Sequence, residues 1–153
     1  SETAAEKPGF RRAFERRRCL VPTDGFYEWE RSAEGKQPWH IGMTDRGVFA
    51  MAGLWELWRD PVTEEPLKTF TVLTTAANGL VAGVHDRMPV ILDPPAFDAW
   101  LDPTSPVALV AELMRPYPED LMVRWPVSSR VNNSRHEGPD LRDPVDSAIR
   151  SVS

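Results

Sequence analysis

In residues 69–75, TFTVLTT, Phe70 and Val72 alternate with threonines, the period-two pattern of a strand with one buried face. Residues 37–43 and 47–58 read as two more strands, joined by an Asp45-Arg46-Gly47 turn. The second, GVFAMAGLWELW, carries small residues at Ala50, Ala52 and Gly53, as a closely packed central strand does. Residues 88–92, MPVIL, are a short buried strand, and residues 121–127 are a further strand. An aromatic segment, Phe26 to Trp29, follows a Pro22-Thr23-Asp24-Gly25 turn, a hairpin or tight corner where Gly25 would supply a positive φ and Asp24 would bond its own backbone. On that strand Glu28 shares a face with Phe26 and Glu30, while Tyr27 and Trp29 point the other way.

Helical spacing is confined to the ends and flanks. Residues 1–18 form a predicted helix with Thr3 as N-cap, Glu6 closing a capping box, and Phe10 and Phe14 (i, i+4) facing the core. Residues 94–101 open on proline and gather Phe97, Trp100 and Leu101 on one side. Residues 106–114 carry Val107, Leu109, Val110 and Leu113. Asn78-Gly79 marks a turn, and the polar stretch after residue 128 ends in a tail, 146–153, expected to fray. Short strands with flanking helices predict an α+β fold.

Composition narrows the class. The 153 residues suit one domain, and 41% apolar with 27% charged residues is a soluble balance. No run of about 18 apolar residues exists to span a membrane, and no secretory signal is evident. A single cysteine excludes an internal disulfide framework and fits a reducing cytoplasm. The net charge of -5 argues against indiscriminate polyanion binding, though not against a local basic face.

Candidate chemistry is sparse. Glu28, flanked by aromatics, is either a desolvated acid with a raised pKa or a solvated carboxylate on a half-exposed strand. His85-Asp86-Arg87 puts a titratable base, an anion and a cation at a strand entrance; it is either a site or a loop whose charges pair internally. His40, His85 and His136 lack metal-ligand spacing, and no metal or cofactor is expected. Cys19 reads as a small hydrophobe more than a reactive thiol. Arg11, Arg12, Arg16, Arg17 and Arg18 form either a solvated helical face or a phosphate-facing patch. Six tryptophans include some, such as Trp29 and Trp39, that would suit base stacking if exposed.

RRCLVPTDGFYEW, FAMAGLWELW, TFTVLTTAAN, VHDRMPVIL and VSSRVNNSRHEGPDL together resemble the SRAP family, SOS response-associated peptidase-like proteins that shield abasic sites in single-stranded DNA. The resemblance covers about residues 10–145, with GFYEW and HDRMP the most specific pieces. It implies an α+β fold with a bifurcated, mostly antiparallel sheet, a small closed barrel and flanking helices. It implies that Glu28 and His85 are catalytic, that Trp29 supports the DNA and that Arg87 contacts phosphate. Trp39, Arg17 and Arg18 are further DNA-binding candidates. The family's nucleophile, an N-terminal cysteine that joins the abasic aldehyde as a thiazolidine, has no counterpart in these residues, and Cys19 does not replace it. The chain alone is therefore expected not to cross-link DNA. The expected partner is abasic single-stranded DNA, with a monomer working in the cytoplasm at the nucleoid. A small-molecule or peptide hydrolase using Glu28 and His85, and a non-catalytic DNA-binding module, are the alternatives.

Overall fold

The structure, a computed structural model, describes residues 8–33, 35–145 and 150–151. In chain order it contains helix α1 (Pro8–Arg16), strands β1 (Arg18–Thr23), β2 (Phe26–Ser32), β3 (Gly35–Met43), β4 (Phe49–Arg59), β5 (Pro66–Val72) and β6 (Thr74–Ala76), and helix α2 (Gly79–Ala82). Strands β7 (Arg87–Pro89) and β8 (Ile91–Leu92), helices α3 (Phe97–Leu101) and α4 (Val107–Glu112), and strands β9 (Met122–Pro126) and β10 (Arg150–Ser151) follow. The predicted Thr3–Glu6 capping box lies outside the described residues.

Two compact units form, each from separate stretches of chain. One comprises Ser1–Pro22, Ala50–Thr75 and Pro89–Pro116; the other comprises Thr23–Phe49, Ala76–Met88 and Tyr117–Ser153. In the first, β1, β4 and β5 lie in that order and β8 also pairs with β4. Phe14, Ala52, Leu54, Leu73, Val90, Trp100 and Val110 form its core. Phe14 meets Trp100 edge to face with ring centroids 6.1 Å apart. Phe10, expected beside Phe14 in the core, is instead 44% exposed.

The first sheet forks. β4 pairs with β8 at Ala50 and Met51 and with β5 from Gly53 onward. At the branch the Ala52 N–H donates to the Val90 carbonyl (2.8 Å), Val90 N–H to Leu73 (2.9 Å) and Leu73 N–H to Ala52 (2.9 Å). This closed ring of three bonds is why residues 69–75 and 88–92, each predicted as one strand, break at Leu73 and Val90. Beyond the branch β6 pairs with β7.

The second unit carries an antiparallel sheet in the order β10-β9-β3-β2. Arg150 and Ser151 pair with Arg124 and Val123, so this part of the expected frayed tail is strand, and the rest lies outside the described residues. Among the described residues each four-stranded sheet ends in unpaired edges, so the fold is α+β with antiparallel sheets and short helices but without the expected closed barrel.

The turn before β2 is not a hairpin, because β1 pairs in one sheet and β2 in the other. Its chemistry differs from expectation. Gly25 is not among the residues with positive φ. A Cβ there would lie 2.1 Å from His40 Cε1 and 2.8 Å from the Ile41 carbonyl oxygen, so the position needs glycine for space. Thr23, not Asp24, closes the turn, its hydroxyl donating to the Gly25 carbonyl at 2.7 Å. The Asp24 carboxylate pairs with Arg142.

Candidate functional site

Glu28 lies opposite Trp39 in the β2–β3 ladder, with Phe26 opposite Ile41 and Glu30 opposite Gln37. Side chains alternate along a strand, so Glu28 shares its face with Trp39 and Glu30, while Tyr27, Trp29 and His40 face the other way. The aromatic beside the acid is thus the cross-strand Trp39, not its sequence neighbours. The Trp39 indole N–H donates to Glu30 (2.9 Å), and the Arg124 guanidinium lies 4.8 Å from its ring centroid. Half-buried there, the Glu28 carboxyl has its pKa pushed up by burial; nearby His85 opposes that rise and Asp86 adds to it.

His85 reaches this neighbourhood on a small excursion between β6 and β7. Asn78 caps α2, accepting the Val81 N–H at 3.0 Å while its amide donates to the Tyr117 carbonyl at 2.8 Å. Asn78-Gly79, predicted as a simple turn, is therefore a helix start. The excursion ends with the His85 N–H on the Val81 carbonyl (3.0 Å) and closes with the Ala77 N–H on the Asp86 carbonyl (3.0 Å). Gly83 lets α2 settle onto Arg124, since a Cβ at that position would lie 2.8 Å from the guanidinium. Gly83, Arg124 and Trp39 thus connect the His85 loop to the face that holds Glu28.

The Arg87 N–H donates to His85 Nδ1 at 2.9 Å. The Arg87 carbonyl lies 3.0 Å from the same nitrogen, so Nδ1 accepts from the one group or donates to the other according to the ring's tautomer. The Arg87 carbonyl at 3.0 Å and Asp86 Oδ1 at 3.3 Å stand ready to accept from Nδ1 once the ring is doubly protonated. Both protonation states therefore have partners. An acid of raised pKa beside an imidazole supported in both states is an arrangement for moving protons.

The other sequence candidates divide. Arg87 lies in the same loop and holds His85 by its backbone. Trp29 lies on the opposite face from Glu28, its indole N–H donating to Asn132 at 2.6 Å. Trp39 is 5% exposed, which corrects the stacking role expected of it: it offers no free ring to a base and instead walls in Glu28. Arg18 is likewise corrected. Its guanidinium donates to the carbonyls of Trp100 (2.5 Å), Phe14 (2.6 Å), Glu15 (2.9 Å) and Asp102 (2.5 Å), tying together the C-terminal ends of α1 and α3. Arg17 is engaged by Glu56 at 2.5 Å, so it too is committed within the fold. Burial raises the Cys19 thiol pKa, which suits a packing role.

Sequence reasoning passed over Arg124 and weighed His40 only as a metal ligand. A single charge inside the apolar run LMVRWPV was the available signal for Arg124. Among the described residues no cluster of His, Cys, Asp and Glu could hold a metal ion. No helix among them is long and apolar enough to cross a membrane.

The profile of the SOS response associated peptidase (SRAP) family matches residues 1–134. The abasic site processing protein YoqW of Bacillus subtilis is 42% identical over 144 residues, covering 92% of this chain and 63% of its own length. The abasic site processing protein HMCES of Gallus gallus is 34% identical over 153 residues, covering 87% and 45% respectively. A crystal structure of a protein from Bacteroides thetaiotaomicron superposes with a TM-score of 0.86 at 31% identity, covering 94% of this chain and 63% of that one. The chain thus spans less than two thirds of these relatives.

Proposed function

Because the chain belongs to the SOS response associated peptidase family, we propose that Glu28 and His85 are the proton-transfer pair of a centre that processes abasic sites in single-stranded DNA. The observation that carries this reading is the half-buried Glu28 carboxyl, its pKa raised by burial and its charge felt by His85. The relatives' shared description as abasic site processing proteins names the substrate class.

The chemistry matches those two groups. An abasic sugar must open from its hemiacetal before its aldehyde can react. The carbinolamine formed with an amine must then lose water to become an imine. Each step moves a proton onto one oxygen and off another atom, so each needs a donor and an acceptor within hydrogen-bond reach. A carboxyl of raised pKa protonates the departing oxygen, and His85 Nε2 exchanges the matching proton. The amine and thiol come from the N-terminal cysteine that the family resemblance implies, and Arg87 holds a phosphate of the same strand.

The test joins to this chain an N-terminal segment that begins with cysteine, as the family resemblance implies, and follows adduct formation with an abasic oligonucleotide on denaturing gels. Glu28→Gln and His85→Gln should slow the adduct about 10²–10⁴-fold while leaving strand affinity unchanged. Affinity should fall with salt, with a log–log slope of about 0.7 per phosphate neutralised. Wild-type adduct rates in both variants, or binding indifferent to salt, would reject the proposal.

A further inference from the structure

A second concavity lies on the other face of the β10-β9-β3-β2 sheet. It measures about 240 Å³, and Asp24, His40, Gly42, Arg46, Trp125 and Arg142 are among its walls. We propose that it is a binding site for a phosphate group, with His40, Arg46 and Arg142 as the donors. The site is independent of the Glu28–His85 reading, because His40 pairs with Tyr27 and Trp125 on the opposite face.

His40 is 4% exposed and wedged in place. Trp125 stacks on it with centroids 4.5 Å apart, and Tyr27 meets it edge-on at 5.3 Å. Its Nδ1 is buried and has no hydrogen-bond partner. Leaving such a nitrogen unpaired costs about 1–3 kcal/mol, and the ring that carries it is part of the cavity wall. Arg46 sits over Trp125 with its guanidinium 3.9 Å from the ring centroid, and among the described residues it has no carboxylate partner. Arg142 is fixed by its backbone, whose carbonyl accepts the Trp125 indole N–H at 2.6 Å, while its guanidinium pairs with Asp24.

Three donors therefore reach one small space from three segments: β3, the turn after it and the turn ending at Arg142. A carboxylate's acceptor sites lie in one plane, whereas the oxygens of a tetrahedral phosphate point apart and suit donors that arrive from separate segments. Arg142, with five N–H groups, can keep Asp24 while contributing to the anion. The volume falls below the ~300–1,000 Å³ of sites for drug-sized ligands, so one phosphate and a small appendage fill it.

The charges facing His40 make its titration the readout. Burial, Arg142 and Arg46 favour the neutral ring, against Asp24, and place its pKa at about 4. Asp143 also lines the rim, and Tyr27 stays neutral as burial and Asp24 raise its own pKa. A bound phosphate reverses the balance by drawing a proton onto the ring. The experiment follows the His40 Cε1–H NMR resonance against pH, with and without millimolar inorganic phosphate. The expected result is a pKa rise of about one unit, equivalent to roughly tenfold tighter binding by the protonated form. Arg46→Gln, at an exposed position, should abolish most of the rise while retaining the wild-type unfolding curve. A single-stranded oligonucleotide that displaces inorganic phosphate identifies a DNA phosphate as the source; failure to displace it identifies a free phosphorylated molecule. An unmoved His40 titration, or an equal response in Arg46→Gln, overturns the site.

Discussion

Replacing Gly25 with alanine separates two accounts of the turn ahead of Glu28. If glycine were needed for a left-handed backbone, Gly25→Asn would be tolerated better than Gly25→Ala. If space is the reason, both fail. The new Cβ would stand 2.1 Å from His40 Cε1, 2.4 Å from Nε2 and 2.8 Å from the Ile41 carbonyl oxygen. Neither obstacle can yield cheaply: the ring is held between Trp125 and Tyr27, and the carbonyl belongs to β3, whose Ile41 pairs with Phe26. Overpacking costs about 1–3 kcal/mol, and two rigid neighbours put Gly25→Ala near the top of that range. Urea unfolding followed by tryptophan fluorescence should show the loss as a lower midpoint at constant slope. His40→Ala removes the ring from the collision, so the double mutant should be more stable than the sum of the single losses by about 1–2 kcal/mol. A Gly25→Ala chain within ~0.5 kcal/mol of wild type, or strict additivity with His40→Ala, would refute the packing account.

Arg18→Ala should destabilise the chain by about 3 kcal/mol or more, since it strands four carbonyls, without changing the DNA affinity of the folded fraction; a stable variant with weakened binding would return Arg18 to the DNA surface. Glu28→Gln should stabilise the protein at neutral pH. A carboxyl whose folded pKa is raised holds its proton better in the native state, so its ionisation costs stability as pH rises through that value. The gain from Gln should disappear below the unfolded-state carboxyl pKa, and a pH-independent gain would contradict this. His40 works in the opposite direction: with a native value of about 4 against 6.5, its contribution is intact above pH 6.5 and lost on acidification towards 4. The loss is at most about 3 kcal/mol and should be absent in His40→Phe, as measured by urea unfolding at both ends of that window.

Alternation along β2 made part of the site legible: it separates Glu28 from Tyr27 and Trp29, and the ladder register agrees. Which aromatic would desolvate the acid was not legible, because Trp39 arrives through pairing with β3, a relation set by register. Helix α2 has four residues, too few to show a period, so Asn78 looked like a turn residue until its side chain met the Val81 N–H. The arginines near α1 form one cluster in sequence, yet Arg18 turns inward to two helix ends while Arg11 stays outside with Glu15. Composition does not separate these fates, which depend on where α3 ends. Arg124 was hidden for a similar reason, since Gly83, which makes room for its guanidinium, is far away in sequence.

The fork at Ala52, Leu73 and Val90 implies a shared fate for three amides. Each residue donates to the next and accepts from the previous one, so no strand can withdraw without freeing both a donor and an acceptor in the core. Local fraying is thereby closed off as a route for deuterium to enter. The three N–H groups should exchange through one opening event, with a common free energy near that of the most protected amides of their unit. Val90→Pro would delete one donor, leave the Leu73 carbonyl bare, and turn that slow concerted exchange into two separate and faster rates, at Ala52 and Leu73.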